Sequence, residues 1–397
     1  MAPGTDATRR TVRLAQRGQV EPFHVMEVLK AANQRAASHG DVITLCAGQP
    51  STPAPRPALA AAQRALASGV VLGYTDATGI RALREGIAEH YGQRYRLAVD
   101  PDQVIVTTGS SAGFTAVFLA AFETGDTVLM ARPGYPAYRN TLHALGCRVV
   151  EIDCLEDTRY QPTVAQLEEY VAAAGTPPAG LIIASPANPT GTIIEPAELA
   201  AIATWCEAHG TLLISDEIYH GVTYGMPAVS AWETSRSAVL VGSFSKYFSM
   251  TGWRVGWLVV PPELVRPIEL LVGNLNICAP AVSQVAALGA LSDEARVELE
   301  GHVRRYAVNR DLLLGRAPEI GVTTMAPPDG AFYLYADVSH LTGDSMAWCF
   351  RVLADTGVAL TPGVDFDTRI GRQFVRLSFA GGTAEVDEAL TRLAAYV

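Results

Sequence analysis

Lysine is nearly missing from this chain. Of its 30 Lys and Arg residues only Lys30 and Lys246 are lysines, which leaves 28 arginines. An excess of positive charge is missing too, since 40 Asp and Glu give a formal net charge of -10. Nucleic-acid affinity comes mostly from Lys and Arg neutralising phosphates, so no nucleic-acid partner is expected, and any anion must be held by a local site. Apolar runs such as Ala116 to Phe122 fall far short of the ~20 residues that span a bilayer, so no membrane partner is expected. The six cysteines, at 46, 147, 154, 206, 278 and 349, lack the paired spacing of zinc or redox motifs. Met1 to Gln19 carries Arg9, Arg10, Arg13 and Arg17 without the apolar core of a secretory signal. These absences predict a cytoplasmic chain with reduced thiols and no metal centre.

What is present is ordinary globular composition at 397 residues, 49% hydrophobic and 18% charged, enough for two domains and a large core. Short β-rich runs alternate with amphipathic stretches along the middle of the chain. Val104 to Thr107, Thr127 to Met130, Arg148 to Ile152, Leu181 to Ala184, Thr211 to Ser215 and Ala238 to Val241 read as strands. Between them lie helical patterns such as Pro196 to His209, opened by a proline and closed near Gly210. Such alternation predicts an α/β fold: a mainly parallel sheet with helices on both faces. Val255 to Val260 follows its predecessor too closely for a helical crossover and is expected to be the one antiparallel strand. That would bring Arg254, at its head, to the edge where the parallel strands end. After about residue 290 the pattern changes to long helices (Asp293 to Leu314) and short strands around Phe332 to Tyr335 and Phe374 to Ser378. A large domain is therefore expected over 52-290, and a smaller α+β domain over 1-51 with 291-397.

Four parallel strands run into polar residues. Gly109-Ser110-Ser111 follows the first, Asn188 the strand ending at Ala184, Asp216 the strand ending at Ser215, and Ser243 to Lys246 the last. Ligands of open α/β sheets bind outside the carboxyl ends of the strands, so these groups should meet in one crevice. Gly109 opens a helix whose free amides make a phosphate cradle. Ser243 and Ser245 add hydroxyls there, and Arg254 adds a bidentate charge. Asp216 and Tyr219 lie three apart on the first turn after a strand and can face the same crevice. Lys246 sits among hydroxyls just past an apolar run. Arginine stays protonated, whereas a desolvated lysine can lose its proton and attack a carbonyl, so Lys246 is a candidate for Schiff-base chemistry. A surface lysine on a turn is the plainer alternative, and only the neighbouring groups argue against it.

Taken in order, these motifs resemble those of the class I/II pyridoxal-phosphate (PLP) aminotransferases, the fold-type-I group that includes aspartate aminotransferase. The matching segments are Ala47-Gly48-Gln49-Pro50, Gly73-Tyr74 with Gly79, Gly109-Ser110-Ser111, Pro133-Gly134-Tyr135, Ser185 to Gly191, Asp216 with Tyr219, Ser243 to Arg254, and Val375-Arg376-Leu377-Ser378. The resemblance implies PLP as cofactor and transamination between an amino acid and a 2-oxo acid. It implies that Lys246 carries the cofactor and shuttles the proton, and that Asp216 partners the pyridine nitrogen. Asn188 and Tyr219 would partner the ring hydroxyl, and Tyr135 would stack on the ring. Ser110, Ser111, Ser243, Ser245 and Arg254 would hold the phosphate. Arg376, with Gly48 and Asn188, would grip the substrate carboxylate. Tyr74 would reach the site of a neighbouring subunit, which implies a homodimer. From its own strand pattern Arg376 could equally lie on a solvated face.

Gly109-Ser110-Ser111-Ala112-Gly113 also fits the G-x-S-x-G nucleophile elbow of a serine hydrolase using Ser111, with His220, His302 or His340 as base. That alternative leaves Lys246, Asp216, Asn188 and Arg254 without work. Other PLP chemistry, such as β-elimination or decarboxylation, uses the same lysine. No Lys or Arg occurs between Arg266 and Arg296, which inclines the donor preference toward neutral or hydrophobic amino acids, with 2-oxoglutarate or pyruvate as acceptor. An aspartate-preferring enzyme would need a further cation, for which Arg56 and Arg139 are candidates.

Overall fold

The computed structural model describes residues 13-397; Arg9 and Arg10 of the basic N-terminal stretch lie outside them. After a short β1 (Ile43–Thr44) come β2 (Val104–Thr107), β3 (Thr127–Arg132), β4 (Arg148–Asp153), β5 (Gly180–Ala184), β6 (Leu212–Asp216), β7 (Val239–Ser243) and β8 (Gly256–Val259). These seven make one sheet in the order β2-β8-β7-β6-β5-β3-β4. β3 pairs in parallel with β4 and β5, and β5, β6 and β7 continue in parallel, while β8 runs antiparallel to both β2 and β7. The close spacing of β7 and β8 in sequence thus has its expected consequence.

The sheet is buried on both faces, and its side chains alternate between two cores. Leu181, Ile183, Leu213 and Leu240 pack in one cluster and Ile182, Ile214, Val239 and Val241 in the other. This is the period-two signature of a strand covered on both sides. Two strands run further than their apolar residues suggest. β3 and β4 end at Arg132 and Asp153, which pair in register and form an ion pair of 2.7 Å. Hydrophobicity alone cuts both strands short of that polar end.

Helices α1 (His24–His39), α2 (Arg56–Ala67), α3 (Arg81–Tyr95) and α4 (Gly109–Ala121) precede or interleave with the sheet. Pro196–His209 is a helix with the expected bounds, and Asp293–Arg316 a long one. Beyond these lie β9 (Tyr333–Asp337), β10 (Val358–Ala359), β11 (Thr361–Pro362) and β12 (Phe374–Ser378). β12 is the middle strand of a three-stranded antiparallel sheet, β11-β12-β9, and β1 pairs with β10. Hydrogen-bonded on both sides, β12 holds Arg376 in a fixed register. Arg376 is 4% exposed, so its strand face is not solvated. Among the described residues no helix is long and apolar enough to cross a membrane.

Candidate active site

A cavity of about 470 Å³ lies at the carboxyl edge of the central sheet. Lys246 enters it from the turn after β7, and its Nζ donates to the Gly48 carbonyl at 2.6 Å. Burial, with Arg376 and Arg254 nearby, lowers this amine from its ordinary 10.5 to about 8. A usable fraction is therefore unprotonated near neutral pH. Asp216 closes β6 and is 3% exposed. Its Oδ2 accepts from Tyr138 Oη, and its Oδ1 accepts from the Ile218 amide at 3.0 Å. Burial still pushes this carboxyl up to about 6, outweighing the bonds from Tyr138 and Ile218 and the charge of Lys246.

One end of the cavity is built for an anion. Thr108, ahead of α4, makes no side-chain cap, so the first amides of that helix keep their hydrogens for a ligand. Ser110, Ser111, Ser245, Thr251 and Arg254 line this end. Gly109 has φ +75°, and a Cβ on it would run into the Arg254 guanidinium. The glycine therefore both turns the chain into the helix and lets the arginine lie against it. Arg254 Nη1 donates to the Thr251 carbonyl at 3.0 Å and has no ion pair among the described residues.

A second uncompensated cation stands at the other end. Arg376 Nη1 donates to Asn188 Oδ1 at 2.7 Å, and Nη2 to the Cys46 carbonyl at 2.8 Å, while Nε has no partner. Its guanidinium carbon lies 4.3 Å from the Tyr333 ring centre and 4.9 Å from that of Phe366. No carboxylate pairs with it among the described residues. A buried guanidinium held by neutral groups and aromatic faces is poised for an incoming carboxylate. Gly48 makes room for it, since a Cβ there would lie 2.8 Å from Tyr333 Oη. Tyr333 Oη in turn bonds Tyr219 Oη at 2.6 Å. The remaining wall is apolar: Phe23, Val25, Met26 and Leu29 reach in from α1 and the residue before it. Asp365 fixes that helix by accepting from the His24 and Val25 amides, both at 2.7 Å.

Lys246, Asp216, Tyr219, Ser110, Ser111, Tyr135, Asn188, Ser245, Arg254, Gly48 and Arg376 thus all line one cavity. Ser243 does not. It ends β7 with its side chain turned behind the sheet edge, where its Oγ donates to Ser245 Oγ at 2.9 Å and accepts from the Ser245 amide at 3.1 Å. Ser243 thus contacts Ser245, which lines the cavity. Tyr74 is 83% exposed and stands outside its own chain's cavity. Arg56 and Arg139 are also outside it and engaged with Glu298 and Glu151. The hydrolase alternative fails on geometry, because among the described residues no histidine lines the cavity. His220 bonds Tyr95 and the Ser185 carbonyl instead, and His302 faces Ser249.

The sequence profile described as aminotransferase class I and II matches residues 40-393. This chain belongs to that family. It is 54% identical over 389 residues, 98% of this chain and 99% of the relative, to a valine–pyruvate aminotransferase of Mycobacterium tuberculosis. The crystal structure of an aminotransferase from M. tuberculosis superposes with a TM-score of 0.94 at 54% identity, covering 97% of this chain and 99% of that one. Aspartate aminotransferase from Thermus thermophilus, solved with maleate, gives 0.91 at 30% identity, covering 98% and 100%. The protein is a transaminase, and its family uses PLP.

The residues present fit that cofactor. The aminotransferase offers a lysine amine, a buried carboxylate without a salt bridge among the described residues, and an anion end made of helix amides, hydroxyls and Arg254. The sequence reading missed Tyr138, which donates to Asp216, and Tyr333, which lies between Gly48, Arg376 and Tyr219. Tyr138 carried a signal: it falls one turn past Tyr135 on the helix Pro136–Leu145, so both side chains share a face. Phe23 to Leu29 carried none, because an apolar helix face looks the same over a substrate as over a core.

Proposed function

We propose that this aminotransferase transfers the amino group of a neutral, hydrophobic amino acid such as valine to a small 2-oxo acid, pyruvate or 2-oxoglutarate. The observation that carries this is the lining of the cavity. Among the described residues its cations are Lys246, Arg254 and Arg376, each with its own task, and the wall facing the substrate side chain is Phe23, Val25, Met26 and Leu29. The engagement of Arg56 and Arg139 elsewhere supports the same reading, as does the name of the valine–pyruvate relative.

The geometry supports a set of roles. Arg376, with Asn188 and Gly48, holds the substrate carboxylate, and the apolar wall selects the side chain. Bound PLP supplies an aldehyde for the substrate nitrogen and a ring that accepts the electrons released at Cα. Lys246 would carry it until the substrate amine displaces the lysine, and Lys246 Nζ would then take the proton from Cα and deliver it to the cofactor's former aldehyde carbon. Asp216 holds the ring nitrogen's charge, Asn188 and Tyr219 face the ring hydroxyl, and Tyr135 stacks. Ser110, Ser111, Ser245 and Arg254 take the phosphate, with Ser243 fixing Ser245.

The protein acts as a homodimer in which Tyr74 completes the other subunit's site. The exposure of Tyr74 together with Val70, Val71, Leu275 and Ile277 supports this. The division into 52-290 and 1-51 with 291-397 is supported by the separation of the seven-stranded sheet from the smaller ones. Six free cysteines support a cytoplasmic location.

A panel of amino donors against pyruvate and 2-oxoglutarate tests the substrate class. Valine, isoleucine and alanine are expected to exceed aspartate in kcat/KM by at least about tenfold. A preference for aspartate overturns the apolar-pocket reading.

A further inference from the structure

Behind the sheet edge, outside the cavity, His220 joins two loops. It sits in the turn leaving β6, the turn that also carries Asp216 and Tyr219, and its side chain is 7% exposed. Its Nε2 lies 3.0 Å from the Ser185 carbonyl oxygen, at the start of the loop that leaves β5 and carries Asn188. A carbonyl can only accept, so Nε2 bears the hydrogen. Its Nδ1 lies 2.6 Å from Tyr95 Oη, at the end of α3. Burial lowers the imidazole to about 3 and raises the Tyr95 hydroxyl, so the ring is neutral and Nδ1 accepts from that hydroxyl. Tyr95 thereby fixes the tautomer in which His220 donates to Ser185.

Among the described residues His220 makes the side-chain bond between this loop and the turn leaving β6. Pro186 and Pro189 have no amide hydrogen. Other bonds of residues 185 to 191 run from the Ser185 amide to the Asp216 carbonyl at 3.3 Å, from the Ile194 amide to Ser185 Oγ at 3.0 Å, from the Ala187 amide to the Thr192 carbonyl, from the Gly191 amide to the Ala187 carbonyl, from the Gly330 amide to the Gly191 carbonyl, and between the Thr190 and Thr192 hydroxyls. At its tip Asn188 accepts from Arg376. We propose that His220 is a positioning residue: it locks the Asn188 loop to the Asp216 turn, and so sets the orientation in which Arg376 receives the substrate carboxylate. This rests on the carboxylate-binding role given to Arg376.

The test is a calorimetric titration of holoenzyme with 3-methylbutanoate, a carboxylate without the amine needed to react. Melting temperature and steady-state kinetics with valine are measured beside it. His220→Leu removes the donor and is expected to weaken 3-methylbutanoate by about tenfold. It should raise KM by a similar factor while kcat stays within about threefold. In His220→Gln the amide nitrogen lies the same number of bonds from Cα as Nε2, and affinity should return to within about threefold of the parent. Unchanged affinity in His220→Leu overturns the proposal. So does an equal loss in both variants in step with a lower melting temperature. Should His220→Leu not fold, Tyr95→Phe carries the test: about threefold weakening is expected, and no weakening overturns it. Arg376→Met separates the two ideas. If it leaves binding intact, the Arg376 role fails and this inference with it; if it abolishes binding while His220 variants do not, only this inference fails.

Discussion

Tyr138→Phe tests how the carboxylate of Asp216 is kept ionised in a dry site. The phenyl ring keeps its packing against Phe114 and Tyr135, at centroid separations of 4.9 and 5.3 Å, so the change is confined to one hydroxyl. That hydroxyl is the side-chain donor to Asp216 Oδ2, and it lowers a carboxyl that burial has raised to about 6. A hydrogen bond to a charged group is worth about 1.5–3 kcal/mol, or about 1–2 units at 1.36 kcal/mol each. Without it Asp216 passes neutrality and holds a proton that must leave before it can face a protonated ring nitrogen. Fluorescence titration of apoenzyme with PLP should show about tenfold weaker binding near pH 7, recovering toward about pH 9. The acidic limb of kcat/KM should move up by about one unit. The stability sign is opposite to that of a salt-bridged Asp. Between its ordinary 3.8 and about 6 the folded apoenzyme holds a proton that the unfolded chain has released, so stability falls as pH rises through that window. Tyr138→Phe should extend the fall to higher pH. Equal PLP affinity for parent and variant at every pH would refute the reasoning.

Two further substitutions probe the neighbouring groups. Gly48→Ala places a Cβ 2.8 Å from Tyr333 Oη and 3.7 Å from Arg376 Nη2; KM for all amino donors should rise by about tenfold, and steady-state kinetics showing no change would mean the pair can yield freely. Lys246→Met should abolish turnover and raise apoenzyme stability at neutral pH. The lysine falls from 10.5 to about 8 on folding, so stability rises with pH between those values, and below them the buried charge opposes folding. Denaturant midpoints should therefore show a gain at pH 7 that vanishes above about pH 10; a lower midpoint at pH 7 would mean the amine is not desolvated.

The central sheet was legible because its signal is local. Runs such as Leu181 to Ala184 alternate between two covering layers, and strand identity follows from period and spacing. The residues lining the cavity carried a signal too, since Asp216 and Lys246 occur where strands end and Arg254 just ahead of the antiparallel one. Ser243 was expected beside a phosphate and its hydroxyl bonds Ser245; residue identity does not tell which way the last residue of a strand turns.

Residue type and spacing in the chain by themselves determined the α/β class, the single antiparallel strand, and the presence of one lysine among hydroxyls at the sheet edge. Only tertiary structure decided that Arg376 is buried without a carboxylate partner, that Tyr138 and Tyr333 complete the site, and that α1 supplies its apolar wall. Those facts depend on segments up to 341 positions apart, as in the bond from His24 to Asp365, coming into contact. Periodicity reports which face of an element is covered, but not by what.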